Sequence, residues 1–115
     1  MISKKISRSI DVRTGAEGGK GSIAMDKLNS EVIKPSKVRK FAHAKLEPGC
    51  SVGYHVHHGE SETFYILSGE GLYSDNGTEV KVKAGDVTFT PDGEGHSLEN
   101  IGTDVLEFIL LIVVD

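Results

Sequence analysis

The chain has one cysteine, three prolines and no tryptophan among its 115 residues. A single cysteine, Cys50, excludes an intrachain disulfide and a thiolate zinc cluster. It stands beside a turn glycine with no basic neighbour to activate it, so a nucleophilic role is not expected. Long apolar runs are also missing. The longest, residues 108–114, is far below the ~20 residues that a membrane-spanning helix needs. Nor is there a concentration of positive charge: 13 Lys and Arg are scattered against 17 Asp and Glu, for a net charge of −4. Such a balance is a poor basis for binding nucleic acid. The opening residues, MISKKISRSIDVR, contain no apolar core of a secretion signal, so a cytoplasmic protein is expected. Finally, no stretch of ten or more residues places its apolar side chains at helical spacing. Residues 26–33 leave room for one helical turn at most.

What is present reads as short strands. A chain this long fits one domain with its own apolar core. Residues 1–21 form a polar lead-in able to serve as an exchanged edge strand, and residues 22–115 form the domain proper. The 14 glycines fall at turns. Residues 39–46 alternate, with Ala42, Ala44 and Leu46 on one side, and stop at Pro48-Gly49. Residues 63–67 are β-branched and aromatic, and Ser68-Gly69 closes them. Residues 71–74 and 79–83 flank Asp75-Asn76-Gly77, a strong hairpin signal. In residues 87–90, Val87 and Phe89 share a face. In 105–114, Glu107 marks the outward parity, so Phe108, Leu110 and Ile112 point in. Evenly spaced short strands in a small domain predict an all-β antiparallel sandwich or barrel. The glycine cluster at 15–21 superficially resembles a phosphate-binding loop. It is one residue short before its Gly-Lys pair, and Gly21 stands where a magnesium-binding Ser or Thr belongs, so phosphate binding is not expected.

The chemistry lies in histidines and a carboxylate. His55 and His57 are two apart, so on a strand both imidazoles leave the same face. Glu62 follows after a turn through Gly59 and shares its parity with Phe64 and Ile66. A carboxylate among apolar neighbours is costly unless it is paired. Glu60 has the same parity and is the rival carboxylate. His96 follows the Pro91-Asp92-Gly93 turn, with Leu98 on its side. A lone inward histidine is usually a hydrogen-bonded core residue. Three of them with a carboxylate favour a metal site. His58 has the opposite parity and precedes Gly59, which suits a turn facing water. His43 lies opposite the Ala42/Ala44/Leu46 face, which suits the surface or an interface. Tyr54 and Tyr65 read as packing residues with a hydroxyl to spare for a ligand.

These residues carry a resemblance. Gly49, His55, His57, Glu62 and Gly69 are separated by five, one, four and six residues, and fill the first motif of the cupin superfamily. Gly85, Pro91, Gly93, His96 and Asn100 are separated by five, one, two and three, and fill the second. The spacer of 15 residues between them is similar to that of small single-domain cupins. The resemblance implies an RmlC-like jelly-roll β-barrel of two antiparallel sheets, commonly dimeric. It implies one divalent transition metal (Mn, Fe, Ni, Co or Zn) inside the barrel on His55, His57, Glu62 and His96, the motif selecting Glu62 over Glu60. Four such ligands close a tetrahedral site but leave two positions open on an octahedral metal. Phe64, Ile66, Phe89, Leu98, Phe108 and Leu110 are the expected cavity lining. The chain also looks like the oxalate-decarboxylase-like small cupins. The expected function is thus a metal-dependent dioxygenase, decarboxylase or isomerase acting on a small carboxylate or dicarbonyl compound. The alternative is a metal-containing binding or sensor module without turnover. No proton donor is identified. Thr63, Tyr65 and Leu67 form a second, outward apolar set, from which a homodimer is expected.

Overall fold

The computed structural model describes residues 1–29 and 33–115. Ten strands follow in order: β1 (Ile10–Thr14), β2 (Ser22–Lys27), β3 (Val38–Leu46), β4 (Ser51–Val56), β5 (Glu60–Ser68), β6 (Glu70–Asp75), β7 (Thr78–Lys83), β8 (Val87–Thr90), β9 (Gly95–Asn100) and β10 (Leu106–Val114). Among the described residues the only helical pieces are single 3-10 turns at Lys5–Ser7 and Ala16–Gly18. None is long and apolar enough to cross a membrane. Asp26 and Lys27 belong to β2; residues 30–32, the centre of the helical turn allowed at 26–33, lie outside the described residues.

The strands form two antiparallel sheets. One has six strands in the order β1-β2-β3-β10-β5-β8, the other four in the order β4-β9-β6-β7. Alternation decides which side of each strand is covered. On β5, Glu62, Phe64 and Ile66 are buried while Tyr65 and Leu67 are exposed. On β10 the buried set is Leu106, Phe108, Leu110 and Ile112. The β6–β7 hairpin turns through Asn76 and Gly77, both with positive φ (51° and 100°). This is the backbone that a two-residue turn matching the twist of its strands demands. The core between the sheets is built on Ile23, Leu46, Ile66, Leu98, Leu106 and Phe108.

Two features extend or correct the expectations. The lead-in contributes β1, which pairs within the chain to β2 from Ile10↔Asp26 to Thr14↔Ser22. The glycine cluster is the connection between them. Phe89 does share its face with Val87, but that face is outward and Phe89 is 57% exposed. The buried positions of β8 are Thr88 and Thr90. Two threonines among apolar neighbours read as the wet side, whereas Thr90 is held inward by hydrogen bonds to the site.

Candidate metal centre

The site forms where β4, β5 and β9 end at the same mouth of the barrel. His55 on β4 lies directly across from His96 on β9. His57 continues the line of β4 just beyond its end, donating its N–H to Glu94 O at 3.0 Å and accepting from Gly93 N at 2.8 Å. Gly59 has a φ of 74°, a conformation that glycine adopts without a Cβ penalty, and it turns the chain back so that β5 opens with Glu60 and Glu62. A bulge on β4 between Val52 and His55 shifts the pairing with β9. Both Val52 and His55 consequently reach the cavity.

Four atoms converge. Nε2 of His96 lies 3.1 Å from Nε2 of His57 and 3.2 Å from Nε2 of His55. Oε1 of Glu62 lies 3.0 Å from Nε2 of His57 and 2.9 Å from Nε2 of His96. Ligand atoms of all four residues lie within 4.8 Å of one another. Their remaining ring nitrogens are fixed from outside. Nδ1 of His55 donates to Gly53 O at 2.8 Å, and Nδ1 of His57 donates to Glu60 Oε2 at 2.7 Å. A carbonyl and a carboxylate can only accept, so both rings carry a proton on Nδ1 and turn Nε2 to the centre. Nδ1 of His96 sits 2.9 Å from both the Tyr73 and Thr90 hydroxyls. Glu60 is in turn held by Arg39, Nε to Oε1 at 2.8 Å and Nη2 to Oε2 at 2.9 Å. Arg39 stands at a shift of register between β3 and β10, where an extra residue re-aims a side chain. The ring of Phe64 stacks on His96 with centroids 5.0 Å apart.

The electrostatics follow from this crowding. Burial, the largest influence on Glu62, pushes its carboxyl up, but the hydrogen bonds and charge of His57 and His96 outweigh it and hold it at about 2. The hydrogen bond to Glu62 raises His57 above its ordinary value against burial, and Glu60 adds to the rise. Burial lowers His96, with Glu62 opposing. A single proton on His96 Nε2 cannot serve Glu62, His57 and His55 together. One cation at the centre can. Donors held side by side at about 2.1 Å from one ion sit about 3 Å apart, which matches the separations of 2.9 to 3.2 Å found here. The donor set therefore fits a divalent metal ion.

His55, His57 and Glu62 form one wall of a cavity of about 320 Å³, and His96 is buried beside them. Phe64, Phe108 and Leu110 line it, while Ile66 and Leu98 lie deeper in the core. Glu60 approaches the cluster through the outer nitrogen of His57. His58 is exposed at the mouth, and His43 contacts Glu107 at 3.0 Å on the other side of the sheet. Tyr54 and Tyr65 are exposed. Sequence reasoning missed Tyr73 and Thr90. Tyr73 pairs with Leu98 across β6 and β9, so the register set by the Asp75-Asn76-Gly77 turn already placed it inward.

Comparison with known proteins agrees with this architecture. The family described as Cupin domain matches residues 42–114. The oxalate-binding protein of Thermotoga maritima is 53% identical over 97 residues, 84% of this chain and 80% of that protein. The oxalate decarboxylase of Bacillus subtilis is 34% identical over 99 residues, which are 82% of this chain but only 25% of that enzyme. Among solved structures, one described as a predicted oxalate decarboxylase from Thermotoga maritima superposes with a TM-score of 0.93 at 45% identity, all of each chain covered. The chain is a member of the cupin family.

Proposed function

We propose that His55, His57, His96 and Glu62 hold one divalent transition metal ion, and that the protein uses it to bind and turn over a small dicarboxylate such as oxalate. The observation that carries this reading is the convergence of three Nε2 atoms and one carboxylate oxygen, three of the four residues lining a 320 Å³ cavity. Mn, Fe, Co, Ni and Zn all accept this donor set. When bound, the ion supplies Lewis-acid and template chemistry, and for Mn or Fe a redox centre. The protein's own part is orientation and exclusion. Glu60 and Arg39 fix the ring of His57, Tyr73 and Thr90 fix that of His96, and Phe64 and Phe108 keep the inner wall dry. The names of the two relatives reported above support oxalate as the ligand class.

The test is to load the metal-free protein with Mn, Fe or Co and titrate it with oxalate, following heat of binding, then formate, CO2 and oxygen uptake. Binding with product formation is the expected result. Binding without product would favour the second reading, a binding module, which the name of the Thermotoga maritima relative supports. An absence of binding with every metal would end both.

The same reading takes the protein to be a homodimer. Two rows on the outward face of the six-stranded sheet support it: Phe41-Leu111-Thr63-Phe89, and Ile109-Tyr65-Val87 ending at His43. Continuous apolar rows of this kind favour a covered face. Light scattering at micromolar concentration should give twice the 12.4 kDa chain mass; the monomer mass would refute it.

A further inference from the structure

The metal cavity opens beside a second cavity of about 280 Å³, lined by Arg13, Lys27, Lys34, Arg39 and Lys40 with Asn29 and Phe41. Arg13, Arg39 and Lys40 line both. In a chain of net charge −4, the cations gather at the mouth of the site. Most of them are engaged. Arg39 is held by Glu60, and Lys34 donates to Val38 O at 3.1 Å. Arg13 and Lys27 lie 3.4 and 3.6 Å from Asp11. Lys40 is different. It is half-buried, and among the described residues no hydrogen bond or ion pair satisfies it. Register places it on the inward row Lys40-Ile112-Glu62 across β3, β10 and β5. Its position is thus two strand spacings, about 10 Å, from the Glu62 backbone. Burial, with Arg13, Arg39 and Lys27 nearby, pulls its pKa down against the opposing charge of Glu62. Among the described residues its ammonium is thus partly desolvated and has no direct ion-pair partner, with only the more distant Glu62 opposing the nearby cations.

We infer that Lys40 is a specificity-determining residue that anchors the second negative charge of the ligand and so selects dianions over monoanions. The inference rests on the metal reading above. Three neutral imidazoles, Glu62 and a divalent ion together carry one net positive charge. Lys40 brings a second. A monoanion would leave one of these charges unbalanced in a poorly solvated cavity, whereas a dianion balances both. Arg13, more exposed at the same mouth, assists entry through long-range attraction.

The experiment titrates oxalate and glycolate, a monoanion with the same two-carbon skeleton, into Mn-loaded wild type, Lys40→Met, Lys40→Gln and Lys40→Arg by calorimetry, with metal content measured for each. Removing the charge should weaken oxalate binding by about 10- to 100-fold, the range of a lost charge-assisted hydrogen bond. Glycolate binding should change by less than about 3-fold in the same scale of affinities. Lys40→Arg should recover most of the oxalate affinity, and metal content should not change. Oxalate binding unaltered in Lys40→Met and Lys40→Gln, or equal losses for the two ligands, would overturn the role of Lys40 and leave the metal reading intact. Loss of metal from these variants would also overturn it. No oxalate binding by the Mn-loaded wild type would overturn the proposed function and this inference together.

Discussion

The interior of the barrel differs from one end to the other along the same strands. Inward positions of β5 run from Glu60 and Glu62 to Phe64 and Ile66; those of β3 run from Lys40 to Ala42, Ala44 and Leu46; those of β9 run from His96 to Leu98 and Asn100. One end holds charges and lone pairs gathered around the His55, His57, Glu62 and His96 cluster. The other holds apolar side chains, and its polar exception is fully bonded: Asn100 Nδ2 donates to Leu46 O and Asp104 O, each at 2.8 Å. Period-2 alternation makes this division possible, because each strand carries core and site on one face without changing register. Folding energy and chemistry are therefore separable by position, and substitutions can test that separation.

The largest effect belongs to the apolar end. Leu106→Ala removes a fully buried side chain of the core and should cost about 2–5 kcal/mol. Denaturation should show that loss with and without metal alike, since Leu106 neither offers a donor nor lines the cavity. At the other end, His96→Ala or His57→Ala should weaken metal binding by about 10-fold or more, at least the penalty of losing an outer hydrogen-bond partner. Metal competition assays would measure it, and full occupancy in the His55/His57/His96 triple variant would contradict the assignment. Glu60→Gln is milder. It loosens His57 without touching a donor, so about 10-fold in metal affinity is the upper expectation, with the fold unmoved.

Two groups set the two limbs of the pH dependence, while His96, lowered by burial, offsets part of the His57 contribution as pH falls below 6.5. His57 is raised from 6.5, so without metal it stabilises the fold below pH 6.5, and that contribution fades as pH rises through the raised value. Glu62 is lowered from 4.5 to about 2, so its contribution is present above pH 4.5 and is lost as pH falls toward 2. Metal-free protein should thus gain most from this pair between pH 4.5 and 6.5. Metal binding should shift the optimum upward, because the ion displaces the His57 proton. Denaturation against pH, with chelator and with metal, would show whether the two optima differ. Identical optima would mean that His57 gives up no proton to the ion. The smallest effect belongs to the outward face. Phe89→Ser should alter chain stability by no more than about 0.5 kcal/mol, yet weaken self-association in dilution experiments.

The four converging residues were legible because they obey local rules. His55 and His57 share parity, Gly59 reverses the chain, and the motif spacing selects His96. What escaped depends on contacts between strands distant in sequence. Glu60 read as a rival ligand because parity alone cannot tell an oxygen that faces the cluster from one that faces the outer nitrogen of His57. Arg39 reaches Glu60 because of a register shift that no turn residue announces. Phe89 was assigned inward because hydropathy ranks it above threonine, whereas Thr90 bonds His96 from the inward position. The lead-in at 1–21 read as polar although Ile10 and Val12 alternate with Asp11 and Arg13, because β1 is an edge strand with no fully buried position.

The order of the donors along the chain has a consequence for folding. His57 and Glu62 are five positions apart, while His57 and His96 are 39 apart. A chain with only the β4–β5 turn formed therefore already offers three of the four donors, His55, His57 and Glu62. Any ion captured at that stage stabilises the unfolded ensemble as well as the native barrel. The rise in melting temperature on adding metal then reports only the difference between a three-donor and a four-donor complex, and understates the affinity of the finished site.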